Sequence, residues 1–354
     1  MPHVITLANG RKIGRGHPCL VVAEVGQNHN GDVYTATRLF KAAADAGVDA
    51  VKLCKRDIRS ELTQAAYDRP YTGPQSFGAT YGQHREALEL SPAEYRHLAD
   101  RVRYNQWPFA LFATACDCKS VDDVEDSLHP MLYKIASRDL DNLPLIDYVA
   151  RLGKPVILSA GMARHGEIRA ALDAVQRYHN DVILMVCTSE YPTPNEHVGL
   201  RRLWLWRRLY GVPVGLSDHT AGITAGIAGA ALGAVVVEKH ITLSRAMCGT
   251  DHAASLEPDG LRRMVDKIRE VEAMMQPVPQ LDLPARDKLG RSLVTVRPMR
   301  AGEVLGENDV TLKSPGDGVH WPERSAVLGK PLRRDLRADV TIQKSDVMEM
   351  ANVP

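Results

Sequence analysis

Short, unbroken apolar runs alternate with longer stretches of helical periodicity along most of the chain. The runs are CLVVAEV (19–25), AVKLC (50–54), FALFA (109–113), YKIA (133–136), PVILSA (155–160), VILMVC (182–187), PVGLS (213–217) and AVVVEK (234–239). None alternates polar with apolar residues, so they suit parallel strands covered on both faces. Between and after them, apolar residues recur at helical spacing over 35–46, 93–104, 121–128, 143–151, 166–178, 197–209, 221–232 and 259–275. Eight strand–helix pairs in roughly 260 residues match the count and length of a (β/α)8, or TIM, barrel. Residues 1–14 alternate around Asn9-Gly10, a two-residue turn signal, and predict a hairpin that closes the bottom of the barrel.

Two segments break the rhythm. Residues 57–90 are longer than an ordinary connection and carry Tyr67, Tyr71, Phe77 and Tyr81, which predicts an ordered loop covering a substrate. After residue 278 the helical pattern stops at a proline-rich stretch, and short β runs with turns begin at Arg291. The expected domains are a barrel over 1–278, a linker over 279–290 and a small, mostly-β domain over 291–354.

Composition narrows the function by exclusion. With 44 Lys and Arg against 43 Asp and Glu, the net charge of +1 offers no field to attract nucleic acid or an anionic membrane. No apolar run approaches the roughly 20 residues of a membrane span, and no signal layout precedes the first strand, so a cytoplasmic protein is expected. The six cysteines are scattered, and Cys116 with Cys118 lacks the CxxC spacing of zinc or redox sites, so they read as reduced thiols.

Polar residues cluster just after each apolar run: Glu24, Lys52, Thr114, Lys134 with Ser137, Ser159, Ser189 with Tyr191, His219, and Lys239 with His240. Singly, each has an ordinary reading as a helix cap or a solvated group. Jointly they fall where a TIM barrel carries its active site, at the C-terminal ends of the strands. Lys52, Lys134 and Lys239 with the hydroxyls make a pocket for a small anion bearing a phosphate and a carboxylate. Glu24 and Asp251 are candidate acid–base groups. Twenty residues separate His219 from His240, about one helix plus one strand, so both imidazoles can meet at neighbouring strand ends and hold a divalent metal with open positions.

Ordered motifs then identify a resemblance: AEVGQNHNGD (23–32), AGVDAVKL (46–53), YKIASRDLDNLPLI (133–146), KPVILSAGMA (154–163), CTSEYPTP (187–194), GLSDHTAGI (215–223), GAVVVEKHITL (233–243) and GTDHAASLEP (249–258). Together they resemble the N-acetylneuraminate (sialic acid) synthases and their relatives for other nonulosonic acids, and the C-terminal segment resembles the antifreeze-protein-like SAF domain of that family. The resemblance implies condensation of phosphoenolpyruvate with an aldose, N-acetylmannosamine or a related sugar, giving a 2-keto-3-deoxy acid and phosphate by C–O cleavage. It implies a divalent ion, Mn2+ with Mg2+ or Co2+ as substitutes, on His219 and His240. Phosphoenolpyruvate contacts fall on Lys52, Thr114, Lys134, Ser137, Ser159, Ser189 and Ser217. Glu24 falls beside the reacting carbons, while Tyr191, Glu238 and Asp251 line the sugar side. Asn28 and His29 brace the first loop or join the site. It also implies a homodimer in which each C-terminal domain caps the partner's barrel.

Two departures from the family pattern bear on the sugar. Where the family has Arg-Pro-Gly, an arginine for the N-acetyl group, this chain reads Lys313-Ser314-Pro315-Gly316, so Ser314 takes the arginine's place. Where it has Lys-Phe-Gln, the chain reads Lys52-Leu53-Cys54. A sugar without that acetamido group, or with it placed differently, is therefore expected. The competing readings are the same condensation on another aldehyde in secondary metabolism or polysaccharide assembly, and a barrel homologue that binds without turnover.

Overall fold

All eight apolar runs form strands. The computed structural model describes residues 3–277 and 284–349. A short hairpin, β1 (Ile5–Thr6) and β2 (Lys12–Ile13), precedes the barrel strands β3 (Leu20–Gly26), β4 (Ala50–Lys55), β5 (Ala110–Ala115), β6 (Tyr133–Ile135), β7 (Val156–Ser159), β8 (Val182–Val186), β9 (Val214–Asp218) and β10 (Val236–His240). These eight are parallel neighbours in chain order, and β10 closes the ring on β3 with His240 opposite Glu24. The helices are α1 (Val33–Asp45), three short ones in the long loop, α2 (Ile58–Glu61), α3 (Gln64–Tyr67) and α4 (Tyr81–Ala87), then α5 (Pro92–Tyr104), α6 (Cys118–Leu128), α7 (Leu143–Ala150), α8 (His165–Gln176), α9 (Arg201–Tyr210), α10 (Thr224–Ala231) and α11 (Pro258–Met274).

Burial on both faces explains the lack of alternation. Outward residues of the strands, such as Val21, Val51 and Leu158, share a core with Phe40, Leu98 and Ile168 of the helices. Inward ones, such as Leu20, Ala50, Phe112 and Ile183, form a second core inside the barrel. The hairpin belongs to the second core: Ile5 pairs with Ile13, and both are fully buried with Leu20 and Ala50, the first residues of β3 and β4. It therefore plugs the end where the strands begin and leaves the opposite end for chemistry. Its turn requires Gly10, at φ +84°, where a side chain would be strained.

Two helices start later than their periodicity suggests. Gly199 at φ +66° ends a short 3-10 turn (Asn195–His197), so α9 begins at Arg201. Residues 221–223 stay in the loop after β9, whose Thr220 carbonyl is tied to the Lys239 ammonium, and α10 begins at Thr224. The small residues of α10 let it lie close: a side chain at Gly226 would meet Met264, and one at Gly229 would meet Leu216.

The segment 57–90 folds on itself around a stack of Tyr71 on His84, with centroids 4.5 Å apart, and of Tyr81 against Tyr71 at 5.6 Å. It also reaches the loop after β10, where the Cys248 thiol meets the Pro74 carbonyl at 3.2 Å and the Gly249 N–H donates to the Gln75 side chain. That loop carries Asp251.

The chain divides into two compact units, Met1–Gln276 and Pro277–Pro354. The second has its own core of Leu293, Met299, Leu305, Val327, Leu332 and Ile342, beside an antiparallel pair β11 (Ser292–Thr295) and β12 (Val310–Lys313). Of the expected linker, residues 279–283 lie outside the described residues, and Pro284–Leu289 forms a helix, α12, with proline at its start where no N–H is needed. Among the described residues, no helix is long and apolar enough to cross a membrane.

Candidate active site

Of the site residues expected in the barrel, all but Lys239, Asn28 and His29 line one cavity of about 280 Å³ at the C-terminal ends of the strands. Period-two alternation does the sorting. On β10, Glu238 and His240 face inward; on β9, Ser217 does, followed by His219. Lys239, expected from sequence to join the anion pocket, has the opposite parity. It is fully buried away from the cavity, with its ammonium 2.9 Å from Asp218 Oδ2 and bonded to the Thr220 carbonyl. It fastens the β9 loop and does not line the cavity. Asn28 likewise braces: its amide donates to the Ile241 carbonyl and Ser255 Oγ, both at 2.8 Å. The nearby His29 accepts the Gly31 N–H at 3.1 Å.

Two lysines and two carboxylates form the floor. Lys134 Nζ donates to both oxygens of Glu238, at 2.8 and 2.9 Å. Lys52 Nζ lies 2.8 Å from Glu24 Oε2, donates to Thr114 Oγ1 at 2.8 Å and sits 3.8 Å from Glu238. The two carboxylates are driven apart in acidity. Burial would raise both, but the two lysines outweigh it at Glu238, which is held down at about 2. Glu24 has only Lys52, so burial, helped by the negative charge of Glu238, pushes it up to about 8. One carboxylate is permanently charged and the other is poised to exchange a proton.

The wall beside Lys134 is a cradle of hydroxyls. Gly161 donates its N–H to Ser137 Oγ at 2.9 Å, and a side chain there would lie 2.5 Å from Ser189 Oγ and 2.9 Å from Ser137 Oγ. Ser159 Oγ is buried with no hydrogen-bond partner. A free hydroxyl, a close backbone and two lysines suit a phosphate group.

The other wall holds the imidazoles. Their ring centroids are 5.5 Å apart, and Tyr191 stacks on His219 at 4.1 Å. His219 Nδ1 donates to the Thr188 carbonyl at 2.7 Å, which fixes the tautomer and leaves Nε2 a lone pair, near Tyr191 Oη at 3.2 Å and Ser217 Oγ at 3.3 Å. His240 Nδ1 is buried without a partner, 4.0 Å from Asp251 Oδ2. Burial holds His240 down at about 4, in the neutral form that a metal needs. This donor set fits a divalent ion held by two imidazoles, with the rest of its coordination left to water and substrate. Among the described residues, no three His, Cys, Asp or Glu side chains converge as ligands.

Ser314 belongs to the second unit, where its hydroxyl donates to the Leu289 carbonyl at 3.3 Å. Sequence reasoning passed over Gly161, Arg56 and Arg138, all at or lining this cavity. The arginines had a readable signal: Arg56 continues the alternation of Lys52 and Cys54 just past the end of β4, and Arg138 follows Ser137 directly.

A closed (β/α)8 barrel with ionisable and hydroxyl groups converging at its C-terminal rim defines an enzyme of the TIM-barrel class. Comparison places it further. The chain belongs to the NeuB family, whose model matches residues 39–278, and a SAF domain model matches residues 290–348. It is 34% identical to the human N-acetylneuraminate-9-phosphate synthase, covering 97% of each chain. It is 33% identical to the N,N'-diacetyllegionaminic acid synthase of Campylobacter jejuni, covering 92% of this chain and 99% of that one. Among solved structures it resembles the N-acetylneuraminic acid synthetase of Leptospira borgpetersenii in complex with citrate, with a TM-score of 0.70 and 28% identity, covering 81% of this chain and 94% of that one. The expectation of a barrel followed by a SAF domain is met, and the chain is a transferase of the sialic acid synthase type.

Proposed function

We propose that this protein condenses phosphoenolpyruvate with an aldose to give a nonulosonic-type 2-keto-3-deoxy acid and inorganic phosphate. The observation that carries the reading is the phosphate-sized cradle around Gly161, with the free Ser159 hydroxyl, next to two buried lysines. The phosphate binds Ser137, Ser159, Ser189 and Lys134, and the carboxylate binds Lys52 with Thr114 and Ser217. Displacing Glu238 and Glu24 from the lysines frees both carboxylates to act on the acceptor side, where Tyr191 and Asp251 orient the sugar. The enol methylene attacks the aldehyde carbon, whose oxygen becomes an alkoxide, leaving a cation at the phosphate-bearing carbon. Glu24 takes a proton from the water that adds there and that proton passes to the alkoxide; the tetrahedral adduct then expels phosphate with the electron pair of its C–O bond and gives up its hydroxyl proton to the leaving phosphate, forming the ketone. A divalent ion, Mn2+ by preference, on His219 and His240 would supply polarisation of the aldehyde oxygen when bound.

The proposal includes a cytoplasmic homodimer, supported by the resemblance alone, which sedimentation velocity reads. The chemistry is tested with phosphoenolpyruvate carrying 18O in its bridging position, incubated with Mn2+ and a panel of aldoses. The label leaves with phosphate if C–O cleavage operates. Label retained in the keto acid, or no sugar-dependent phosphate release, would sink the reading.

A further inference from the structure

Two guanidiniums in the cavity are not needed for phosphoenolpyruvate, whose phosphate and carboxylate are matched by Lys52, Lys134 and the hydroxyls. Arg56 directly follows the last residue of β4 and lines the same cavity as Lys52. It is 4% exposed, its Nε is fixed by Glu89 Oε1 at 2.8 Å, and its Nη2 is buried with no partner. A buried N–H of a charged group without an acceptor is costly, and a ligand oxygen is the acceptor this corner lacks. Arg138 lines the same cavity, oriented by Glu61 at 2.6 Å and by Asp139 at 3.4 Å. Glu89 and Glu61 hold the two forks in place, as fixed partners do in sites that recognise oxyanions by paired N–H donors. Cys54, between Lys52 and Arg56, has its thiol pushed well down by its contact with Cys116 and by the positive charge of Arg56 and Arg138, as a corner short of negative charge requires.

Resting on the function proposed above, we propose that Arg56 and Arg138 form an anion subsite that holds a phosphate or carboxylate carried by the acceptor aldose at the end remote from its aldehyde. The acceptor is then a charged sugar, and the subsite sets its orientation as well as its affinity.

The test compares matched six-carbon aldoses ending in CH2OH, CH2OPO3 or COO−, with the full-length protein, phosphoenolpyruvate and Mn2+. The charged acceptors are expected to exceed the neutral one in kcat/KM by ~10- to 100-fold, the range of charge-assisted hydrogen bonds; the preferred member tells phosphate from carboxylate. Arg138→Gln and Arg56→Lys should each remove most of that preference and leave KM for phosphoenolpyruvate within about twofold. Arg138, whose side chain is 33% exposed, carries the test if the buried Arg56 variant fails to fold. Equal use of neutral and charged acceptors overturns the subsite and leaves the condensation standing. A rise in KM for phosphoenolpyruvate in the variants assigns the arginines to that substrate instead. Absence of turnover with every acceptor removes both proposals.

Discussion

Glu24 and Glu238 are the same residue type, 5% and 4% exposed, on adjacent strands, yet one is poised to change charge and the other is not. The difference is the number of lysines each one faces. If Glu24 is the base, its proton must be off, so kcat/KM of the free enzyme rises with pH through about 8. Glu24→Gln should abolish that limb and cost ~10²- to 10⁴-fold in kcat with an unchanged melting temperature. A pH–rate profile of both forms checks it; an unchanged limb in the variant would assign the titration elsewhere. Gly161 poses a separate residue-scale case. Gly161→Ala places a methyl group 2.5 Å from Ser189 Oγ, so KM for phosphoenolpyruvate should rise more than ~10-fold while urea unfolding changes little. At this scale the residue types after each strand were readable from sequence, because strand ends in a barrel share one rim. Which of them were orphaned or paired was not, since Lys134 meets Glu238 across 104 positions of chain.

Parity is the element-scale lesson. Adjacent lysine and histidine in the same motif, Lys239 and His240, end in different worlds because one strand residue points to the helices and the next to the cavity. Lys239 and Asp218 are a fully buried pair, side chains at 0% exposure. Asp218→Asn should therefore destabilise by roughly 3 kcal/mol by stranding the ammonium. Denaturant melts read the loss, and unaltered stability would show that the pair contributes nothing. Strand positions were legible because continuous apolar runs have one buried solution. Helix starts at α9 and α10 were not, because a backbone break at Gly199 and a tether from Lys239 decide them and neither affects periodicity.

At the scale of the whole molecule, among the described residues two hydrophobic clusters lie in Met1–Gln276 and one in Pro277–Pro354. A chain ending at residue 276 retains the hairpin plug and both barrel cores, so it should unfold in one cooperative calorimetric transition. A non-cooperative melt would show that the barrel depends on the rest of the chain.

The sequence alone determined the strand count, the barrel, the rim that carries chemistry and the family, because burial on both faces and strand-end positions are local properties of residue order. Only the tertiary structure decided that Lys239 is a fastener, that Glu24 and Glu238 differ in charge, and that Arg56 keeps an N–H unspent. Each of those depends on partners that meet only when strands pair and loops fold back onto the rim, and such proximity is not written in any single segment.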